Sequence, residues 1–108
     1  MEIWKDIPNY EGLYQASNLG RIKSLWFYSN VAKKRVPREK ILKQKVSKDN
    51  SCRVILWKNG EHKTYLVHRL IASAFLENHL DENLTINHKD ENRLNNNIEN
   101  LEWMTRGD

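Results

Sequence analysis

Thr85-Ile86-Asn87-His88-Lys89-Asp90-Glu91-Asn92-Arg93-Leu94-Asn95-Asn96-Asn97-Ile98-Glu99-Asn100-Leu101-Glu102-Trp103-Met104-Thr105 is a loop too polar to be core, flanked by two short apolar runs, Leu84/Ile86 and Leu101/Trp103. A loop this rich in Asn and Asp cannot stabilise itself by burial, so its side chains must bond to backbone or to a ligand. The first run ends in a histidine preceded by an asparagine. Imidazole is the side chain that titrates near neutral pH, and the Asn87 amide offers a hard oxygen. Strand, histidine, tight polar loop and strand together frame a site for hydrolysis assisted by a divalent metal.

Outward from that stretch, Val67, Leu70, Ile71, Ala74 and Phe75 recur at helical spacing. They predict a short amphipathic helix over 67–77, ending near Asn78, with a polar connector from Asn78 to Asn83. Residues 53–57 and 64–67 flank Lys58-Asn59-Gly60-Glu61, and Asn-Gly between β-rich runs favours a type I′ hairpin turn. Residues 14–17 and 21–25 read as two strands around Asn18-Leu19-Gly20, where Gly20 supplies the positive φ of the turn. Ile22 is expected to face inward, with Arg21 and Lys23 outward. Tyr14 and Trp4 read as core anchors rather than base-stacking platforms. Residues 41–46 read as a strand with a basic outer face. Asn30 to Lys40 has no apolar period and contains Pro37, so a mobile loop is expected there. The fold class is α+β: small antiparallel sheets and hairpins with one short helix. Residues 1–48 form an N-terminal β-rich module and 49–108 a second unit.

At 108 residues, 39% hydrophobic, the chain can bury one small core. Mean hydropathy is low at −0.81, yet four Trp and four Tyr supply anchors that a disordered chain lacks. The apolar runs are far short of a membrane span, and Met1-Glu2-Ile3-Trp4 is no signal sequence, so no membrane partner is expected. Cys52 stands alone, which excludes an intrachain disulfide or a Cys-based zinc site and points to a reducing cytoplasm. The net charge of +4 hides a separation: residues 1–65 hold 14 Lys/Arg against 6 Asp/Glu, and residues 66–108 hold 4 against 8. Between Arg21 and Lys48 ten basic residues face one acid, Glu39. A basic front and an acidic back suit a protein that grips a polyanion and presents a cation site beside it. A solvated basic loop gives the same composition.

Asn87-His88, Asn95-Asn96 and Glu99-Asn100-Leu101-Glu102-Trp103, with Asn100 twelve residues after the histidine, resemble an HNH nuclease, nearest its phage and intron-encoded homing-type branch. The stretch from Trp4 to Leu25, which contains Tyr10-Glu11-Gly12-Leu13-Tyr14 and Ser17-Asn18-Leu19-Gly20-Arg21-Ile22-Lys23-Ser24, resembles the module that often precedes it there. Val67-His68-Arg69-Leu70-Ile71-Ala72-Ser73-Ala74-Phe75 completes the likeness, leaving roughly residues 27 to 40 unmatched. The resemblance implies a ββα-metal motif over 84–108 and a metal-dependent endonuclease that nicks or cuts double-stranded DNA. His88 would be the general base and Asn87 the ligand of one divalent ion, Mg²⁺ or Mn²⁺, held weakly because its donor is neutral. Asn100 would bond across the loop and fix the strand that carries the histidine, with Asn95, Asn96 and Asp90 tying the loop backbone. His68 would be a structural hydrogen-bonder, whereas His62 and His79 read as exposed. Glu91 stands where relatives often have glycine, which implies a shifted or strained turn.

Arg21, Lys23, Lys33, Lys34, Arg35, Arg38, Lys43 and Lys45 are the expected phosphate contacts. The family's spacing places a last metal ligand nine residues after Asn100, on a helix that Thr105-Arg106-Gly107-Asp108 would begin. On that spacing the motif is incomplete at Asp108, which could stand in as an oxygen ligand. A monomer in the cytoplasm of a bacterial host or phage-infected cell is expected. Two other readings fit the same residues: a DNA-binding or regulatory module that kept the fold without turnover, and a protein-interaction domain whose basic loop meets an acidic partner.

Overall fold

The computed structural model of the chain describes residues 1–76 and 84–105. Among the described residues, nine strands form three antiparallel sheets around one helix. Strands β1 (Trp4–Asp6), β2 (Tyr14–Ser17), β3 (Ile22–Ser29) and β4 (Lys34–Ile41) make the first sheet, in chain order. Strands β5 (Lys45–Val46), β6 (Cys52–Lys58) and β7 (Glu61–Leu66) make the second. The helix α1 (Val67–Phe75) follows directly, and β8 (Leu84–His88) pairs with β9 (Leu101–Thr105). A 3-10 turn at Ile98–Asn100 leads into β9. No helix among the described residues is long and apolar enough to cross a membrane.

The architecture follows from where the apolar side chains fall. Ile7, Tyr10, Tyr14, Ala16 and Ile22 come from the first sheet and its connection, Cys52, Val54 and Leu56 from β6, Val67, Leu70 and Ile71 from α1, and Leu101 from β9. These are the alternate positions of the strands and one stripe of the helix, as their periods of two and 3.6 require. One continuous core results, with α1 touching strands of all three sheets. Tyr10 and Tyr65 link the sheets through their hydroxyls, 2.8 Å apart, and burial pushes the Tyr10 phenol up to about 12. At the β6–β7 turn Asn59 and Gly60 both have positive φ, 54° and 79°, the requirement of a type I′ turn.

Four expectations are corrected. The loop expected over 30–40 is a turn followed by β4, whose residues pair with β3 from Lys23↔Ile41 to Ser29↔Lys34. Main-chain pairing, not side-chain burial, holds this edge strand, so no apolar period betrays it. Pro37, opposite Trp26, is tolerated at an edge, and the cations discourage further strand addition. The strand expected over 41–46 is divided, because β4 ends at Ile41 and β5 belongs to the second sheet. Between them the Leu42 N–H donates to the Ile22 carbonyl at 2.8 Å. Lys23, expected outward, is buried: its ammonium lies 3.4 Å from Glu39 and 4.5 Å from the Trp4 ring centre. The helix ends at Phe75 rather than near Asn78, with extended backbone at Leu76. The connector from Asn78 to Asn83, His79 and the expected helix start at 106–108 lie outside the described residues.

Candidate active site

Pairing of β8 with β9 fixes which way the key side chains point. Ile86 lies opposite Trp103 and His88 opposite Leu101, so His88 shares the inward face with the buried Leu101. The residue is 8% exposed. Its Nε2 is 2.8 Å from Oδ1 of Asn96. An amide oxygen only accepts, so the ring's proton sits on Nε2 and Nδ1 keeps its lone pair. Nδ1 has no hydrogen-bond partner among the described residues. An imidazole held in this tautomer has its basic nitrogen free for a water molecule.

Asn87 is next along the strand and faces the other side. Its amide nitrogen donates to Oε1 of Glu102, directly across the ladder, at 2.9 Å. With the nitrogen so engaged, the amide oxygen is left as the donor atom toward a cation. Glu102 was not singled out from the sequence. Its place opposite Asn87 is a matter of register, which becomes readable only once His88 is paired with Leu101.

The loop between the strands is a closed network around Asp90. Oδ1 of Asp90 accepts from the Asn92 N–H at 2.8 Å and from Nδ2 of Asn100 at 2.9 Å, while Oδ2 accepts from Nδ2 of Asn95 at 2.9 Å. These donors, Asn95 first, hold the carboxyl below the usual carboxylate range. Asn100 also accepts from the Asp90 N–H at 3.0 Å and donates to the Asn95 carbonyl at 2.9 Å, so its amide spans the loop. The Lys89 N–H reaches the Asn100 carbonyl at 2.8 Å. Glu91, at the turn, has φ +64°, a conformation that glycine adopts more readily. Asn97 caps the 3-10 turn through the Glu99 N–H.

His68, from α1, meets the His88 ring edge-on with centroids 5.2 Å apart. The hydrogen bond expected of it is absent among the described residues; the ring contact takes its place. Burial first, then the neighbouring His88, push the His68 imidazole down to about 4, so it stays neutral beside His88. Cys52, on β6, is buried, and burial pushes its thiol up. His62 is exposed, as expected, and its ring lies at a tilt against Trp57 with centroids 4.6 Å apart.

The expected phosphate contacts divide into two groups. Arg21 is bound to Glu2, Nε to Oε2 at 2.8 Å, and lies over Trp4; this contact holds the Glu2 carboxyl down to about 2. Together with the buried Lys23, it already has protein partners. Lys33, in the β3–β4 turn, and Lys34, Arg35 and Arg38, on β4, are exposed at the sheet edge, with Arg38 over Phe27. Lys43 and Lys45 are also exposed, and with Arg53 they line a cavity of about 460 Å³. Arg93, which the sequence did not single out, ties the loop to the second sheet through the Asp49 carbonyl at 3.1 Å.

No group of three or more His, Cys, Asp or Glu is placed to hold a metal among the described residues. What the ribbon offers is an amide oxygen on Asn87 with a carboxylate across from it. That donor set suits a hard cation whose remaining ligands are water and phosphate.

The two stretches of chain that meet at this ribbon each match a known family model. The NUMOD4 motif matches residues 2–57 and the HNH endonuclease domain residues 65–108. The chain belongs to this family, in which an HNH segment follows a NUMOD4 motif. It is 42% identical over 103 residues to the DNA endonuclease I-HmuI of Bacillus phage SP01, covering 95% of this chain and 52% of that protein. Two uncharacterized HNH endonucleases of Acanthamoeba polyphaga mimivirus are 35% and 39% identical, across 94% and 93% of this chain and 22% and 26% of their own lengths. A solved structure described as DNA binding and cleavage by the HNH homing endonuclease I-HmuI superposes with a TM-score of 0.75, at 42% identity, over 96% of this chain and 53% of that one. The chain thus spans about half the length of the phage relative. HNH endonucleases in general depend on a divalent metal.

Proposed function

We propose that the chain is the NUMOD4–HNH part of a DNA endonuclease that hydrolyses a phosphodiester of double-stranded DNA. It would act as a monomer in the cytoplasm of a bacterial host or phage-infected cell. The observation that carries the reading is the His88–Asn96 pair, which leaves Nδ1 as the base, one residue along β8 from the Asn87 amide. Nδ1 takes a proton from water, and the oxygen so formed attacks phosphorus while the bond to the 3′ oxygen breaks. The imidazolium forms beside a neutral His68, so no like charge opposes it. Asn87, oriented by Glu102, would hold one Mg²⁺ or Mn²⁺. That ion, when bound, relieves charge on the phosphate and on the departing oxygen.

Asn100 and Asp90 keep the loop closed, and with it the end of β8 that carries both residues. The exposed cations of β4, with Lys43 and Lys45, would lie along the phosphate backbone. The N-terminal module, 1–48, would thus grip DNA while 49–108 cuts it. Plasmid nicking with Mg²⁺ or Mn²⁺ tests this on a version extended beyond position 108: it is expected to relax supercoiled DNA, and its His88→Ala variant to lose at least about a hundredfold in rate. Equal rates would remove His88 from its role. Salt-sensitive binding without nicking by a version extended beyond position 108 would reduce the protein to a binding module.

A further inference from the structure

The turn between β2 and β3 belongs to the NUMOD4 match, yet it is built against the loop that holds the histidine. Gly20 is buried, with φ +91°. A methyl group placed on it would stand 3.1 Å from the carbonyl carbon and oxygen of Asn96 and 3.3 Å from its Cβ. One residue pair away, the Ile98 N–H donates to the Asn18 carbonyl at 2.8 Å. The turn is itself tied down. Ser17 Oγ accepts from the N–H groups of Leu19 and Arg21, at 3.1 and 3.0 Å, and Asn18 Oδ1 accepts from the Ile3 N–H at 2.7 Å. The Gly20 carbonyl accepts from Nε2 of Gln44 at 2.8 Å. A rigid turn pressed on the main chain and Cβ of Asn96 leaves the base of that side chain little freedom.

We infer that the β2–β3 turn is a positioning element for the HNH site: Gly20 sets Asn96, and Asn96 holds the His88 ring with its proton on Nε2. The inference rests on the endonuclease reading for its consequence in turnover, though not for its geometry. The N-terminal module then has two jobs, gripping DNA at β4 and bracing the histidine at the other end of β3. Only glycine satisfies both demands at position 20, a left-handed backbone and a close approach to another main chain.

The test compares two glycines. Gly60→Ala imposes a similar backbone strain, since its φ is +79°, but meets nothing within 4 Å. Long-range ¹H–¹⁵N correlation spectra of the full chain, at mildly alkaline pH, report which ring nitrogen of His88 carries the proton, with His88→Ala for assignment. Asn96→Ala is expected to give a mixture of tautomers. Gly20→Ala should shift the ring signals the same way and lower kcat by about three- to tenfold at unchanged KM, since displacements of a few tenths of an ångström act steeply on reacting geometry. Gly60→Ala should lose stability with ring signals and kcat unchanged. Gln44→Ala, which frees the Gly20 carbonyl more gently, should shift the signals by less and decides the matter if Gly20→Ala does not fold. Wild-type ring signals in Asn96→Ala, or equal shifts from the two glycine variants, would overturn the inference. So would no shift in Gln44→Ala where Gly20→Ala is unfolded. A version extended beyond position 108 that fails to nick DNA would sink the nuclease reading, and the ring signals would still decide this one.

Discussion

Replacing Asn100 by alanine removes the side chain that closes the loop, and the cost can be worked from its contacts. Asn100 makes three side-chain hydrogen bonds: to the Asp90 N–H, the Asp90 carboxylate and the Asn95 carbonyl. Neutral bonds contribute about 1 kcal/mol each and a bond to a charged group about 1.5–3 kcal/mol, giving a gross loss of roughly 4 kcal/mol. Asp90 itself is exposed, so its carboxylate regains water when the amide is gone. The net expectation is a loss of about 2–3 kcal/mol, or roughly 10 °C in Tm for a chain of this size. Urea unfolding followed by tryptophan fluorescence measures it, with an unchanged m-value showing that the folded state is still compact. Asn100→Asp is the companion variant. It sets a second carboxylate against Asp90, so it should be worse than alanine at neutral pH and improve as the pH falls and one of the pair takes a proton. A loss below about 0.5 kcal/mol for Asn100→Ala, within the range of an ordinary surface substitution, would refute the network as the loop's main tie.

Glu91→Gly should stabilise the fold by about 1 kcal/mol, because a left-handed residue with a Cβ costs roughly that much; the urea midpoint reads it. His68 contributes a pH dependence whose sign is set by its lowered folded value, about 4 against an ordinary 6.5. The unfolded chain takes up this proton first, so stability is full above about pH 6.5, declines down to about pH 4 and is then level. After allowance for the exposed part of the ring, that decline is about 1–2 kcal/mol, and His68→Gln should flatten it in urea titrations at stepped pH. Joint replacement of Lys34, Arg35 and Arg38 by alanine should weaken DNA binding at every sequence and reduce the slope of log K against log salt by up to about 3. Lys23→Ala should instead show its effect in stability, since that ammonium already has Glu39 and Trp4.

Much of this could be read from the chain, and the failures share a cause. The Asn59-Gly60 hairpin, the stripe of α1 and the β8–loop–β9 frame each carry their own local signal. Strand β4 carries none, because its partner β3 supplies the pairing and an edge strand needs no buried face. Lys23 misled because strand alternation says which face a residue takes, not what covers that face. Here the Trp4 ring lies against the lysine ammonium and Glu39 meets its charge. Asn95, Asn96 and Asn97 look interchangeable in sequence, yet one ties Asp90, one holds His88 and one caps a 3-10 turn. Their division of labour depends on backbone direction over three residues, which composition does not encode. Glu102 was missed, and Gly20 was read only as a turn residue, for a related reason: each matters through a neighbour distant in sequence.

The helix seated among all three sheets has a consequence for how this protein can be taken apart. Its stripe of Val67, Leu70 and Ile71 belongs to one core with residues of both family segments, Ala16 and Ile22 from one and Leu101 from the other, and the helix touches β1 and β2 as well as β8 and β9. A graft carrying only residues 65–108 would arrive with a raw oily flank and no lid for it. The two halves are therefore transplantable as a pair, and their border in sequence is not a seam in space.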